Sequence, residues 1–247
     1  MINFVQRTNR IKQALYLAAI LLSACFAATA QPANVVVSVP VGTKAPASLA
    51  TQLSFWRQSG QVSDVLWLES SQKEDAGFST LVALEFPSEG SYQSWAREEA
   101  SKLAAPLVVK RADVLTHGEI TPRDSNKSIF VVNEYKTLVP AADYRKYVEA
   151  YIAPNMQNQR AHKILIRYTM YLLREDDGSK GNSYLVMEYR DSVAFDRRDG
   201  IKDEFKQKLL ATNAQWKRLN DTKDSIRTDG AQTMASYQEL PPPELPG

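Results

Sequence analysis

One arrangement of strands and helices occurs twice along this chain, and that repetition limits the possible folds more than any other feature. Residues 84–92 (LEFPSEGSY) match residues 187–195 (MEYRDSVAF). Each segment predicts a strand that ends in a glutamate and an aromatic residue, followed by a turn and a helix. Self-similarity over a long period indicates a repeated structural unit. We therefore predict two units, over residues 34–122 and 127–240.

Within each unit the local patterns predict the order strand, helix, strand, strand, helix, strand. In the first unit Leu49 and Leu53 lie on one face of a helix, and Ser88 is a typical N-cap for the second helix. In the second unit we expect Pro140 to open the first helix and Pro154 to end it. This order of elements is the split βαβ, or ferredoxin-like, unit.

A sheet of this kind carries both helices on one face and leaves its other face bare. Two such sheets can cover each other's bare faces and form a closed α+β barrel. In this respect the chain resembles the dimeric α+β barrel superfamily, which includes NIPSNAP-like, EthD-like and antibiotic-monooxygenase-like proteins. The resemblance spans about residues 34–240 and implies an α+β fold: two tandem ferredoxin-like units packed sheet to sheet as a pseudo-dimeric barrel. It is one of topology, and no catalytic motif of a member family accompanies it, so it does not supply a function.

The first 30 residues predict export. Arg7, Arg10 and Lys12 provide a positive start, an apolar run covers residues 14–27, and Ala-Thr-Ala stands at 28–30. This order of charge, apolar run and small residues is typical of a secretory signal peptide cleaved before Gln31. We therefore expect the folded part to work in the periplasm or outside the cell.

A lipoprotein signal over residues 1–24 is the alternative. Residues 22–25 (LSAC) resemble a bacterial lipobox, in which Cys25 would be lipidated and would anchor the protein in the cell envelope. We expect membrane attachment only in that case. Cys25 is also the only cysteine of the chain, so no disulfide bond can form within it.

Composition argues against several classes of function. The chain has 30 basic and 28 acidic residues without a long run of one sign, which disfavours nucleic acid as a partner. The only two histidines, His117 and His162, do not have the spacing of metal ligands. Some tandem ferredoxin-like families bind haem through a histidine, but two isolated histidines are more typical of polar surface positions. We expect neither a metal nor another cofactor.

The chain ends in a proline-rich segment, residues 241–247 (PPPELPG). Three consecutive prolines provide no N–H group for helix or sheet pairing. We expect an exposed, extended tail, with recognition by a proline-binding partner as the alternative.

The candidate catalytic residues come from the strand faces predicted to meet inside the barrel. Side chains alternate along a strand, which places Glu85 and Glu188 at equivalent strand ends facing the interior. Arg167 lies on the neighbouring strand, and His117 lies in the last strand of the first unit. Buried carboxylates beside an arginine can act as a general base or anchor a polar ligand. The alternative is that the glutamates lie at the barrel rim, solvated or paired with arginine.

Aromatic residues supply the candidate ligand contacts, namely Tyr171, Tyr184, Tyr237 and Trp67. The leading hypothesis is an exported protein that binds a small organic ligand, or a protein partner, through its barrel. The alternative is a cofactor-independent enzyme, a monooxygenase, isomerase or lyase, that acts on a hydrophobic small molecule.

Overall fold

A computed structural model describes residues 32–72, 74–103, 105–120, 127–175 and 181–242. The predicted signal peptide 1–30, its alternative 1–24 and Cys25 lie outside the described residues. Of the predicted tail, only Pro241 and Pro242 are described, and both are exposed and belong to no helix or strand.

Eight antiparallel strands close into one barrel in the order β1-β3-β2-β8-β5-β7-β6-β4. Strands form here because β-branched and aromatic residues alternate with a period of two. Their bounds are β1 Ala33–Val39, β2 Asp64–Ser70, β3 Thr80–Phe86, β4 Val108–Glu119, β5 Ile129–Thr137, β6 Leu165–Leu173, β7 Asn182–Tyr189 and β8 Arg227–Tyr237.

Each half of the barrel has its own four neighbouring strands. In the first half the hydrogen-bonded order is β4-β1-β3-β2, and in the second half it is β8-β5-β7-β6. The halves join twice, through β2 with β8 and through β4 with β6. The predicted α+β class with a closed antiparallel barrel is therefore confirmed.

Helices cover the outer faces of both halves. The first half has α1 Ser48–Gln58, α2 Glu89–Glu98 and a short 3-10 turn Ala100–Lys102. The second half has α3 Ala141–Tyr147, the π-helical segment Val148–Ile152, α4 Ala153–Ala161, α5 Ser192–Asp196, α6 Arg198–Thr212, α7 Ala214–Thr222 and a 3-10 turn Lys223–Ser225. Among the described residues, no helix is both long and apolar enough to cross a membrane.

The helix caps agree with the predictions at two of three positions. Ser88 caps α2 by accepting a hydrogen bond from the backbone N–H of Ser91 at 3.0 Å, and Pro140 directly precedes α3. The prediction that Pro154 ends that helix is wrong. The chain passes through the wide turn of the π-helical segment, and Pro154 then stands in the first turn of α4, where a missing N–H costs little.

Two layers of apolar side chains lie on opposite faces of the strands. In β3, Val82, Leu84 and Phe86 pack under the helices, whereas Leu81 and Ala83 point into the barrel. The equivalent residues of β7 divide in the same way: Leu185, Met187 and Tyr189 face the helices, and Tyr184 and Val186 face the interior. The predicted assignment of strand faces is confirmed.

Candidate functional site

Four polar side chains meet at one end of the barrel, and we call them the barrel-mouth cluster. Glu188 is only 1% exposed, and its Oε2 lies 3.3 Å from Nε of Arg167, itself 13% exposed. Ser128 donates a hydrogen bond to Oε1 of Glu188 at 3.0 Å. Asp64 lies at the outer edge, with its Oδ2 3.8 Å from Nη1 of Arg167. Arg167 and Glu188 therefore form a largely buried ion pair across β6 and β7.

The structure separates the two glutamates that the sequence places at equivalent strand ends. Glu85 is exposed, and its backbone carbonyl accepts a hydrogen bond from the Ser63 hydroxyl at 3.0 Å. It stands opposite Asp64 in the register of β2 and β3. His117 is also exposed and stands opposite Thr169 in the register of β4 and β6. Only Glu188 and Arg167 of the four candidate catalytic residues are drawn into one buried contact.

The barrel interior is a packed apolar core that includes the candidate tyrosines. Tyr171 and Tyr184 are buried in it, and burial raises the pKa of both phenols. Tyr237 packs against it from the mouth, with its ring stacked 6.3 Å from that of Phe130. The interior is thus filled by side chains at this level of the barrel.

Trp67, the fourth candidate ligand contact, lies apart from the three candidate tyrosines. Trp67 stands opposite Val82 in the register of β2 and β3. It packs under the helices of the first half, on the other face of the sheet from Tyr171, Tyr184 and Tyr237. Alternation along the strand places Leu66 and Leu68, its two neighbours, in the interior instead.

A cavity of about 300 Å3 lies on the helix side of the second half, and we call it the Tyr151–Trp216 cavity. Its walls come from β5, β7 and β8 on one side and from α4, α6 and α7 on the other. Three buried residues, Val131, Leu185 and Met187, form an apolar floor. Other lining residues that bear on its chemistry are Tyr135, Tyr151, Tyr189, Trp216, Arg198, Lys202, Asp203, Lys206 and Arg227.

One wall of the cavity belongs to a continuous aromatic stack. Tyr144, Tyr147 and Tyr151 recur at helical spacing, so their rings lie on one face, 5.9 and 5.1 Å apart between centroids. Trp216 extends the stack, 4.7 Å from Tyr151. Its indole N–H donates to the Tyr151 carbonyl at 3.2 Å, and Asn213 caps the helix that carries it. These two hydrogen bonds, from the Trp216 indole to Tyr151 and from the Trp216 backbone N–H to Asn213 Oδ1, fix the orientation of the Trp216 ring.

The cavity is electropositive. Four cations and one carboxylate line it: Arg198, Lys202, Lys206 and Arg227 against Asp203. Its tyrosines do not offset this excess, because burial raises the pKa of both Tyr151 and Tyr189. Their phenols stay neutral at physiological pH.

A comparable groove of about 340 Å3 lies in the first half, between Trp95 and the strands. It also has cations in its lining, but each one has a carboxylate partner. The pairs are Lys110 with Glu175 at 2.8 Å, Arg111 with Glu89, and Arg174 with Asp113. In the Tyr151–Trp216 cavity, two of the cations, Arg198 and Lys202, share the single carboxylate of Asp199.

Sequence reasoning missed the Tyr151–Trp216 cavity. None of the residues that line the cavity is among the candidates drawn from the sequence. The available signal was the three tyrosines on one face, where aliphatic residues are more usual in a core. A row of tyrosines on one helix face does not show whether the elements packed against it leave a cavity.

The described residues contain no group of three histidine, cysteine or acidic side chains arranged to hold a metal ion. Both His117 and His162 are exposed, and neither lines the Tyr151–Trp216 cavity. The side chains that do line it therefore offer a bound molecule aromatic faces, hydroxyl groups and positive charge.

Solved structures share this fold. A proposed monooxygenase from Fusobacterium nucleatum superposes with a TM-score of 0.52 at 14% identity, covering 85% of this chain and 94% of that one. An anthrone oxidase-like protein gives 0.50 at 6% identity, covering 84% and 91%. A ferredoxin-fold protein from Listeria monocytogenes, related to antibiotic biosynthesis monooxygenases, gives 0.41 at 10% identity, covering 85% and 96%. No family profile and no curated protein matches the sequence. The two structures with TM-scores of 0.52 and 0.50 show a shared α+β fold and, at these identities, nothing about activity.

The barrel-mouth ion pair generates a stability prediction. Replacing Arg167 by methionine leaves the Glu188 carboxylate buried without its cation, so we expect the free energy of unfolding to fall by about 3–5 kcal/mol. Replacing both residues, as Arg167→Met with Glu188→Leu, should recover most of that loss. Urea unfolding at pH 7 measures both. Arg190→Met, which removes the exposed pair with Asp191, is the matched control and should cost at most about 1 kcal/mol. Equal losses in the single and double variants would contradict a charge-based cause.

Proposed function

We propose that this is an exported protein that binds a small organic molecule in the Tyr151–Trp216 cavity. The observation that carries the proposal is a cavity of about 300 Å3 with an apolar floor and an oriented aromatic wall. Ligand sites are typically concave, mostly apolar and furnished with a few polar groups. A small molecule suits this site better than a protein partner, because the Trp216 ring is buried rather than displayed on the surface.

The location of the cavity changes the role of the barrel in this proposal. The leading hypothesis placed the ligand or partner between or beside the two sheets, and the side chains between them form an apolar core around Phe130 and Tyr171. We now place the ligand between a sheet and its own helices, in the second half only. The barrel then serves as a rigid support for the strands that form the cavity floor.

We also infer that the two halves are tandem copies of one ferredoxin-like unit, as in a fused dimeric α+β barrel. The repeated strand order and the matching segments 84–92 and 187–195 support this. The NIPSNAP-like, EthD-like and antibiotic-monooxygenase-like families stay alternative relatives.

A blocking substitution tests the ligand cavity. Asn155 lines it from α4, and Gln157 on the same helix is exposed and faces away from it. We expect Asn155→Trp to weaken binding of bicyclic aromatic compounds by about tenfold or more, since overpacking costs about 1–3 kcal/mol. Gln157→Trp should leave affinity unchanged. Calorimetric titration of neutral and acidic naphthalene derivatives measures both. If no such compound binds the unmodified protein, or if the two variants behave alike, the cavity is not the site.

Export is supported by the leader sequence alone, and mass spectrometry of the mature protein tests it. We expect the chain recovered from the periplasm of a Gram-negative host to begin at Gln31. A mature chain that begins at a lipidated Cys25 would establish the lipoprotein alternative, and Cys25→Ser would then release it from the membrane fraction. An uncleaved chain in the cytoplasm would contradict both routes.

A cofactor-independent enzyme is the second candidate function. The fold neighbours described as a monooxygenase and as anthrone oxidase-like support it at the level of fold. The candidate acid–base residues Glu85, Glu188, Arg167 and His117 lie at the barrel rather than in the cavity. Asp203 is the carboxylate that lines the cavity, so proton removal from a bound substrate would fall to it.

Oxygen uptake distinguishes the enzyme from a binding protein. If the cavity oxidises anthrone to the quinone, one O2 is consumed and one water is formed for each anthrone. We expect that rate to fall to the uncatalysed level in Asn155→Trp and in Asp203→Asn, and to persist in Gln157→Trp. Tight binding of aromatic compounds with no catalysed oxygen uptake would leave ligand binding as the function.

A further inference from the structure

The charge of the Tyr151–Trp216 cavity indicates what kind of molecule it takes. Of its four cations, Arg198 and Lys202 both lie near one carboxylate, Asp199, at 3.2 and 3.4 Å. Lys206 has no ion-pair partner among the described residues. These three side chains come from one helix, α6, and form a positive rim around the opening.

Arg227 is the cation inside the cavity. Its side chain is only 12% exposed, and its guanidinium lies 3.7 Å from the centre of the Tyr135 ring. Its sole carboxylate contact within the described chain is Asp229 at 3.4 Å, and that side chain is 67% exposed. The Nε and Nη1 atoms are buried without a hydrogen-bond partner among the described residues.

Burial lowers the pKa of Arg227 and its polar surroundings raise that pKa by more, so the guanidinium stays charged; no buried carboxylate faces it among the described residues. A ring face stabilises a cation only modestly, and a solvent-exposed carboxylate contributes little to the stability of an ion pair. The tyrosines around it cannot supply a negative charge, since burial raises the pKa of Tyr144 to about 12 and that of Tyr147 further still. Two buried N–H groups of Arg227 therefore have no acceptor within the described chain.

We propose that the cavity binds an aromatic organic acid, with its carboxylate against Arg227 and its ring against Tyr151 and Trp216. This inference rests on the proposed ligand cavity and adds the ligand class to it. The apolar floor of Val131, Leu185 and Met187 takes the hydrocarbon body. The positive rim draws the anion towards the opening, and the buried arginine sets its orientation. Arginine suits this role because its planar, permanently charged head matches a carboxylate.

The first half supplies an internal comparison. There the equivalent groove has Lys110, Arg111 and Arg174, each already paired with a carboxylate of the chain. The three cations of that groove are therefore paired within the chain. In the Tyr151–Trp216 cavity, by contrast, Arg198 and Lys202 share Asp199, and the buried Arg227 has only the exposed Asp229. We therefore expect the acid preference in this cavity.

A pair of probes that differ in charge tests the proposal on the intact protein. The probes are 2-naphthoate and its neutral counterpart 2-naphthalenemethanol, titrated calorimetrically at pH 7. We expect the acid to bind the unmodified protein about tenfold or more tightly than the alcohol, because hydrogen bonds to charged groups exceed neutral ones by about that margin. Added salt should narrow the difference, since it screens the rim charges.

Substitutions assign that preference to residues. In Arg227→Met the alcohol should still bind and the ratio of affinities should fall to near one, whereas Arg227→Lys should keep part of the preference. Arg174→Met, which removes a paired cation from the groove of the first half, is the matched control and should not change the ratio. Lys206→Gln, at an exposed position, should reduce the ratio of affinities by about two- to threefold. This test does not depend on whether the Arg227 variants fold.

The outcomes separate this inference from the proposed function. Equal affinities of acid and alcohol for the unmodified protein, with binding abolished by Asn155→Trp, would overturn the acid preference and keep the cavity. A preference that survives in folded Arg227→Met, as judged by urea unfolding, would also overturn it. Failure of both probes to bind would overturn the ligand cavity itself.

Discussion

The pairing of β2 with β8 and of β4 with β6 is the constraint on which the rest of this structure depends. Each half alone would be a four-stranded sheet with helices on one face and an apolar face towards water. Closing the two seams covers both apolar faces at once, which removes sheet edges and buries the residues around Phe130 and Tyr171. The seam of β2 with β8 is short, and side-chain bonds such as that from the Gly77 backbone N–H to Thr233 Oγ1 at 2.8 Å reinforce it.

Closure also determines where a ligand can bind. Because the interior is filled by side chains from both halves, the space between the sheets is used for stability. Room for another molecule then arises where a sheet and its own helices do not pack tightly. In the second half the longer helical region, with breaks at Arg197 and Asn213, spans the sheet and leaves such a gap under α6 and α7. The aromatic stack ending at Trp216 keeps the gap open, because large rigid rings cannot collapse into it.

The two buried arginines, Arg167 and Arg227, differ in how their positive charge is compensated. At the barrel mouth, Arg167 and Glu188 compensate each other, so their burial is tolerated without an outside partner. In the cavity, Arg227 faces ring systems and a solvated carboxylate, so its compensation is incomplete. Buried charge needs a partner, and exposed partners contribute little. These two rules assign Arg167 to stability, and they are the basis on which we propose ligand recognition for Arg227.

Much of the architecture follows from the sequence, because strand and helix periodicity are local properties. The alternation in 81–86 and 184–189 correctly divides the side chains between interior and helix layer, and Ser88 correctly marks a helix start. The prediction that Pro154 ends a helix was wrong. The π-helical turn before it places the proline in the first turn of the next helix, where its missing N–H costs little stability. Glu85 and Glu188 show more clearly what local sequence patterns cannot predict. Their sequence settings are equivalent, yet one is solvated and the other is buried beside Arg167, because burial depends on which strands of the other half cover each position. The sequence alone therefore determined the order of elements and the faces of the strands. The tertiary structure decided where the charges are buried and where the cavity lies, since a gap between packed elements is set by residues far apart along the chain.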